Sequence, residues 1–456
     1  MAPVELDVEK WAEEQFGACD LGDARRTRRA VRVAAQMAAD PDGSMPLQTE
    51  NWADLKAAYR LLDEEDVTFA RLAEPHWRRT RERSPGTWLV LGDTTEVDFG
   101  RFRQAAGLGP LGKGTGRGFL LHSGLMVRPE TEEVVGLAGQ AIRYRRPKPK
   151  GERYSREALK RDRESVVWGQ VIEQVGPPAE GVQFIHVFDR GADSFEVFCR
   201  LLAVRSDWVV RAGQLRRKTA DGSSLAEQLA EFPLSGCYEL SLRAAGKQPA
   251  RTAQLEVRHG AVAICAPSGR SPWLKQCGVE TIAMHVIEVR EAGAPAGVEP
   301  LHWVLLTSLP VKNFNDAWRV IGYYEKRPII EEFHKALKTG CRLQSRQHQT
   351  SDRLEAVAAM LSVVAVRLLQ LRSVARSDPQ RPVDQVVPQR WTSVLKTLRR
   401  GRSIATTGQF YRELAGLGGF LGRKHDGEPG WLTIWRGFEK LQLAVRAVRE
   451  YQKKCG

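Results

Sequence analysis

Three carboxylates fall where a sheet-based active site would need them. Asp93 follows the apolar run TWLVLG and Asp189 follows VQFIHVF, so each closes a segment of strand length. Ligands of open α/β sheets bind at that end of the strands, and the two aspartates become neighbours if their strands are adjacent. A lone aspartate after a strand is more often a turn or cap residue, so the third element matters. In YYEKRPIIEEFHKALK, Tyr324, Arg327, Glu331, Lys335 and Lys338 are spaced 3, 4, 4 and 3 apart. At 100° per residue they share an arc of about 80°, opposite Ile329, Ile330, Phe333, Ala336 and Leu337. The ordinary alternative is a solvated helix face with Glu–Lys pairs worth a few tenths of a kcal/mol.

Other metal chemistries find little support. The seven cysteines are scattered, with no C-x-x-C pair, and the nine histidines show no H-x-x-x-H or H-x-H spacing with an acidic neighbour. Any metal is expected on carboxylates. His122, in LLHSG, reads as a satisfied core histidine rather than a site residue.

Lys and Arg number 69 against 55 Asp and Glu, a formal net charge of +14. The excess is concentrated in RRTRRAVR (Arg25 to Arg32), in Arg143 to Arg163, where ten of twenty-one residues are basic, and in the last 84 residues. Three separate clusters favour a polyanionic partner. The apolar stretch AVAAMLSVVAV, Ala356 to Val366, falls short of the roughly 18 residues of a bilayer span, and Arg367 is read as ending it, so no membrane is expected. The acidic N-terminus lacks an apolar signal region, which points to the cytoplasm.

These groups need elements to position them. Residues 1–70 read as a helical module, with Asp23 capping an arginine-striped helix able to lie on phosphates. From residue 71 to 372 the pattern is α/β: a three-strand meander ending at Tyr144, a helix SVVWGQVIEQV, the strand before Asp189, a further helix, and the strand DWVVRA. The expected fold is a mixed sheet flanked by helices. Residues 213–300 read as an all-β insertion, the helix at Leu354 to Arg372 as a central element, and 373–456 as a helical C-terminal domain.

With these residues in place the chain resembles the bacterial insertion-sequence transposases of family four, the Tn-five type. Tyr324, Arg327, Glu331 and Lys338 match the signature Y-x2-R-x3-E-x6-K, and LGDARRT, GDTTE, HSGLMV, FDRGAD, VVRA, HWVLLTSLP and IEEFHKALKTG follow in order over almost the whole chain. The resemblance implies a ribonuclease-H-like core with Asp93, Asp189 and Glu331 as a DDE triad, an N-terminal DNA-binding domain over 1–70, and a C-terminal dimerisation domain over 373–456. It implies a cut-and-paste transposase on double-stranded DNA, transposon ends and target alike, working through a hairpin intermediate as a homodimer on the bacterial nucleoid. Two Mg²⁺ ions, with Mn²⁺ as a substitute, would be held by the triad; such ions neutralise charge on both oxygens of an in-line displacement.

The resemblance also assigns DNA contacts: Arg25, Arg26 and Arg29 to the transposon end, Trp303 to a flipped base, Tyr324, Arg327 and Lys338 to nearby phosphates, and Arg211 to DNA. Lys335, on the same arc, joins the expected DNA-binding set. A base leaves the stack at a cost of about a few kcal/mol; without the resemblance Trp303 reads as a core aromatic. The chain departs from the pattern at Pro328, which is expected at N1 of the helix bearing Glu331, leaving Tyr324 and Arg327 on a preceding turn. Arg143 to Arg163 is more basic than in the best-known relative, consistent with a grip on flanking or target DNA. The stripe Trp431, Trp435, Phe438, Leu441, Val445, Val448 reads as an intramolecular core on composition and as a pairing region by resemblance. The competing functions are a catalytically silent end-binding protein or inhibitor of transposition and a structure-specific nuclease.

Overall fold

Side-chain caps set the limits of the N-terminal helices. Asp7, Asp23, Asn51 and Thr68 each accept a backbone N–H at the start of Val8–Phe16, Ala24–Ala39, Trp52–Leu62 and Phe69–Arg81. The computed structural model describes residues 7–100, 105–112, 115–145, 166–242, 250–295, 297–423 and 426–455. In Ala24–Ala39 the small and apolar residues Ala30, Val33, Ala34 and Met37 are buried, as the 3.6-residue period requires. The last of these helices docks on the sheet through His76. Its Nε2 accepts the Leu137 N–H at 3.0 Å, so Nδ1 carries the proton and donates to Gln15 at 2.7 Å. Burial holds this imidazole neutral, with a pKa of about 3.

Ten strands form one mixed sheet. β1 (Gly86–Asp98), β3 (Gly116–Val127) and β4 (Val134–Arg143) make the expected antiparallel meander, with the short β2 (Gly109–Leu111) beside β3. β5 (Val182–Phe188) lies parallel to β1, and β6 (Asp207–Arg211) parallel to β5. The helices Val166–Val175 and Phe195–Ala203 supply the crossovers.

The insertion differs from the all-β expectation over 213–300. β7 (Leu234–Leu242), β8 (Arg251–Cys265) and β9 (Thr281–Ala292) continue the same sheet through β10 (His302–Thr307), which closes on β6. TAQLEVR and AVAIC are two parts of the single strand β8. Two short helices, Leu225–Glu231 and Pro272–Cys277, interrupt the strands. A Ser224–Glu227 capping box starts the first, and Ser271 followed by Pro at N1 starts the second, local signals that outweigh the surrounding β pattern.

Helix Ser351–Ser377 runs through the centre, against Phe69–Arg81, β4 and the C-terminal helices. By length and composition Ser351–Leu371 suffices to cross a membrane, but 89% of its apolar window is buried in the fold, as for a core helix. Arg367 does not end the apolar segment as expected. It is fully buried, its guanidinium 5.1 Å from the Trp11 ring and 5.7 Å from that of Phe438. The last helices are Gln389–Leu398, Thr407–Leu417 and Trp431–Cys455. Trp431, Trp435, Phe438, Leu441 and Val445 are buried within the chain's own core, Trp391 and Trp435 stacking on Phe438. Only Val448 of that stripe is exposed, alongside Leu443 and Tyr451. Most of the basic run, residues 146–163, lies outside the described residues.

Candidate active site

Strand pairing brings the two aspartates together. The parallel ladder of β1 and β5 ends at Leu91↔Val187, but β1 does not stop at Asp93 as the sequence implied. It runs on to Asp98 because β3 pairs its other edge, with Asp93 opposite Ser123 and Thr94 opposite His122. Asp93 thus lies two residues beyond the parallel ladder, beside the end of β5. Close approach here demands glycine at position 92, where a Cβ would lie 2.2 Å from the Phe188 ring.

Asp189 leaves β5 into the single turn Arg190–Ala192 and accepts the Gly191 N–H at 2.8 Å. That turn is anchored by Asp193, whose buried carboxylate accepts the N–H groups of Gly213 at 2.7 Å and Gln214 at 3.0 Å and pairs with Arg217.

Glu331 comes from a helix that packs against β1. Helix Phe314–Tyr324 ends at Tyr324, residues 325–328 form a turn, and Ile329–Lys335 follows. Pro328 occupies the N-cap position, one residue earlier than expected, so Arg327 sits on the turn while Tyr324 is the last residue of the preceding helix. After Lys335 the backbone widens into a π-helical turn, Ala336–Gly340, which carries Lys338. The continuous 100° wheel therefore describes only the Glu331–Lys335 stretch.

Arg327 gathers the three carboxylates. Its guanidinium lies 3.4 Å from Asp93, 3.4 Å from Asp189 and 2.8 Å from Glu331. The side chains of Arg327 and Asp93 are largely shielded, whereas that of Glu331 is 60% exposed. Burial raises the Asp93 pKa; Arg327 opposes this, and Asp189 and Glu331 add to it. Burial works against the charge on Arg327, but Asp93 and Asp189 outweigh it and keep the guanidinium charged. Lys338 is half-buried; desolvation lowers its pKa while Glu96, Asp93 and Asp98 pull it up.

Histidines back the cluster. His334 places Nδ1 3.7 Å from Asp93, and burial holds it neutral, with a pKa of about 3. His122 is the core residue its context implied, 2.8 Å from the Thr94 hydroxyl and edge-on to Trp168.

A second wall carries aromatic and basic groups. Trp303, half-buried on β10, lies 6.5 Å from the Tyr324 ring. Burial raises the Tyr324 pKa, while the charges of Arg211 and Arg327 lower it, Arg211 also through a hydrogen bond. Arg211 also donates to the His302 carbonyl at 3.1 Å. A chain of neighbours thus runs from Trp303 through Tyr324, which Arg211 also faces, to Arg327 and the three carboxylates. Lys335 is exposed, with no ion pair among the described residues.

The oxygen-only donor set suits a hard divalent cation, and such a charge would relieve the repulsion from Asp189 and Glu331 that adds to burial in raising Asp93. The three carboxylates are not drawn to single-ion spacing, since Arg327 stands between them. Sequence reasoning missed Asp193 and His334. The second acid of FDRGAD and the histidine three residues after Glu331 were visible but carried no spacing rule.

The arginine helix forms a separate surface. Arg26 pairs with Glu64 and Asp66, and Arg29 with Asp54, so both brace the helices as well as face outward. Arg25 and Arg28 are exposed and have no ion pair among the described residues. Arg28 was not singled out in the sequence. Residues 8–67, which contain this helix, match the protein family described as transposase DNA-binding, and the chain thus carries at its N-terminus a domain that supports a transposase acting on DNA.

Proposed function

We propose that this chain is a cut-and-paste transposase with a ribonuclease-H-like core, related to the family-four, Tn-five-type enzymes. The observation that carries the reading is the convergence of Asp93, Asp189 and Glu331 on Arg327 in a chain with a transposase DNA-binding match at its N-terminus. The three carboxylates would hold Mg²⁺, two ions with Mn²⁺ as a substitute. Bound there, the metal supplies charge to stabilise the attacking and leaving oxygens of phosphoryl transfer.

The chain's own residues orient and shield. Water attacks the phosphorus at the transposon end and the ribose oxygen leaves as a 3′-OH. That hydroxyl then attacks the opposite strand, closing a hairpin that is reopened before insertion into target DNA. Tyr324, Arg327 and Lys338 hold the phosphates near the triad, Arg211 steadies Tyr324, and Trp303 receives the base that leaves the stack. With a metal held by the carboxylates, Arg327 would be free to pair with a phosphate instead. Arg25, Arg26, Arg29 and the exposed Arg28 meet the end sequence, with Lys335 available to the backbone. Two ends must be held at once, which a homodimer achieves. The nucleoid in the cytoplasm follows from this role.

The alternative, a silent end-binding protein or inhibitor, is disfavoured by the complete triad; a structure-specific nuclease is disfavoured by Trp303 beside Tyr324. Trp303→Ala tests the hairpin step. We expect nicking of the first strand to persist and hairpin product to fall by about tenfold or more, since base–aromatic stacking is worth about 1–3 kcal/mol. Hairpin formation at the wild-type rate, with a 2-aminopurine probe reporting an unstacked end base, would overturn the assignment.

A further inference from the structure

The described residues hold one cluster of three acidic side chains whose ligand atoms all lie within 4.8 Å of one another, and it is not at the active site. Asp40 and Asp42 come from the loop after the arginine helix; Glu439 comes from the C-terminal helix Trp431–Cys455. We infer that Asp40, Asp42 and Glu439, with the amide oxygens of Gln48 and Gln442, form a calcium-type cation site tying the DNA-binding helices to the C-terminal helix.

The two glutamines point to a ligand independently of the acids. Gln442, one turn beyond Glu439, is only 5% exposed, and its Oε1 is buried without a hydrogen-bond partner. Gln48 is 8% exposed; its Nε2 donates to the Asp40 carbonyl at 2.6 Å, which leaves Oε1 as the free end, also buried and unpartnered. Both line the same groove as the three carboxylates. An amide oxygen buried without a donor is destabilising, and the proposed cation would give both a partner.

Geometry and chemistry agree. Ligands on opposite sides of Ca²⁺ lie about 4.6–5.2 Å apart, given Ca–O distances of about 2.3–2.6 Å. The five proposed donors are all oxygen, and a flexible mixture of carboxylates and amides suits Ca²⁺ better than the strict octahedron of Mg²⁺. The loop is preset from beneath, where the buried Arg346 donates to the carbonyls of Pro41 and Gly43. Trp435 Nε1 donates to one Glu439 oxygen at 2.9 Å, leaving the other for a ligand. Nearby cations are mostly engaged: Arg32 with Glu50 and Asp54, and Lys440 with the Leu417 carbonyl. Arg28, also on the groove, is exposed. Arg346 and Arg436 offset only part of the acids' repulsion, and burial with Asp42 nearby still pushes Glu439 up to about 7.

The test uses the full-length chain carrying Asp93→Asn, Asp189→Asn and Glu331→Gln, which removes the proposed catalytic ligands. Tb³⁺, a luminescent stand-in for Ca²⁺, is titrated with excitation through tryptophan, Trp435 being hydrogen-bonded to Glu439. We expect saturable luminescence that CaCl₂ displaces, with affinity falling at least about tenfold on adding Asp42→Asn or Glu439→Gln. CaCl₂ should also raise the unfolding temperature of the triple variant and not of its Asp42→Asn derivative; Asp42 is exposed, so that change leaves the fold intact. Absence of Tb³⁺ binding in the triple variant, or binding and stabilisation unaffected by both substitutions, would overturn the proposal. A failure here leaves the active-site reading untouched.

Discussion

Arg327→Gln separates charge from packing at the candidate active site. The guanidinium lies within 3.4 Å of three carboxylates, and each contact is worth about 5–6 kcal/mol gross at an effective dielectric of about 20. Desolvation of Arg327 and repulsion among the acids cancel most of this. Removing one partner of a buried pair costs about 3–5 kcal/mol, and the 60% exposure of Glu331 and partial exposure of Asp189 reduce the expectation to about 2–3 kcal/mol. The sign with pH follows from Asp93. Its pKa is already raised by burial, and losing Arg327 raises it further, so the variant gains relative stability as acid protonates Asp93. Urea unfolding of both proteins in EDTA should show the full gap at about pH 7.5 and a much smaller one near pH 4.5, the upper edge of carboxylate titration. Adding MgCl₂ at the higher pH should also narrow it, because a bound cation replaces the lost charge. A gap unchanged by both acid and MgCl₂ would refute the reasoning and make Arg327 a packing residue.

Two further expectations concern the scaffold. Asp193→Asn keeps acceptors for the Gly213 and Gln214 N–H groups but strands the buried Arg217, so it should cost about 3 kcal/mol in urea unfolding, with cleavage activity falling as the Asp189 turn loosens; a loss below about 0.5 kcal/mol would show the pair to be dispensable. His76 is held neutral in the fold, with a pKa of about 3 against an ordinary 6.5, so its contribution is present above the unfolded value and is lost as pH falls from about 6.5 towards 3. His76→Gln should therefore flatten the decline of unfolding temperature over that range, and an unchanged slope would refute the neutral state assigned to His76.

Local signals carried the elements, whereas the site depended on how they were stacked. The apolar runs before Asp93 and Asp189 predicted two strands, and their adjacency followed once β1 and β5 paired in parallel. That β1 continues past Asp93 could not be read from the run TWLVLG, since the continuation is held by β3 and not by its own apolarity. The wheel through Tyr324 to Lys338 assumed one continuous helix, which the chain does not form. Arg327 reaches the carboxylates from a turn set by Pro328, and a π-helical turn carries Lys338. The insertion looked all-β because its alternation dominates, while two capped helices of six and seven residues are too short to show a period. Arg26 and Arg29 announced a basic face, but their acidic partners lie 25 to 40 residues away and only the fold reveals the pairing. The Asp40, Asp42 and Glu439 cluster joins positions almost 400 residues apart and has no sequence signature.

The central claim is that Asp93, Asp189 and Glu331 cut DNA. A plasmid bearing the gene's own flanking inverted ends, incubated with the protein and MgCl₂ beside a Glu331→Ala control and resolved on a denaturing gel, tests it most directly. The account predicts hairpin-ended or excised fragments from the wild type alone, with Glu331→Ala still shifting the end DNA in a binding assay. End DNA bound but never cut, with Mg²⁺ or Mn²⁺, would contradict it and leave a DNA-binding protein without the proposed chemistry.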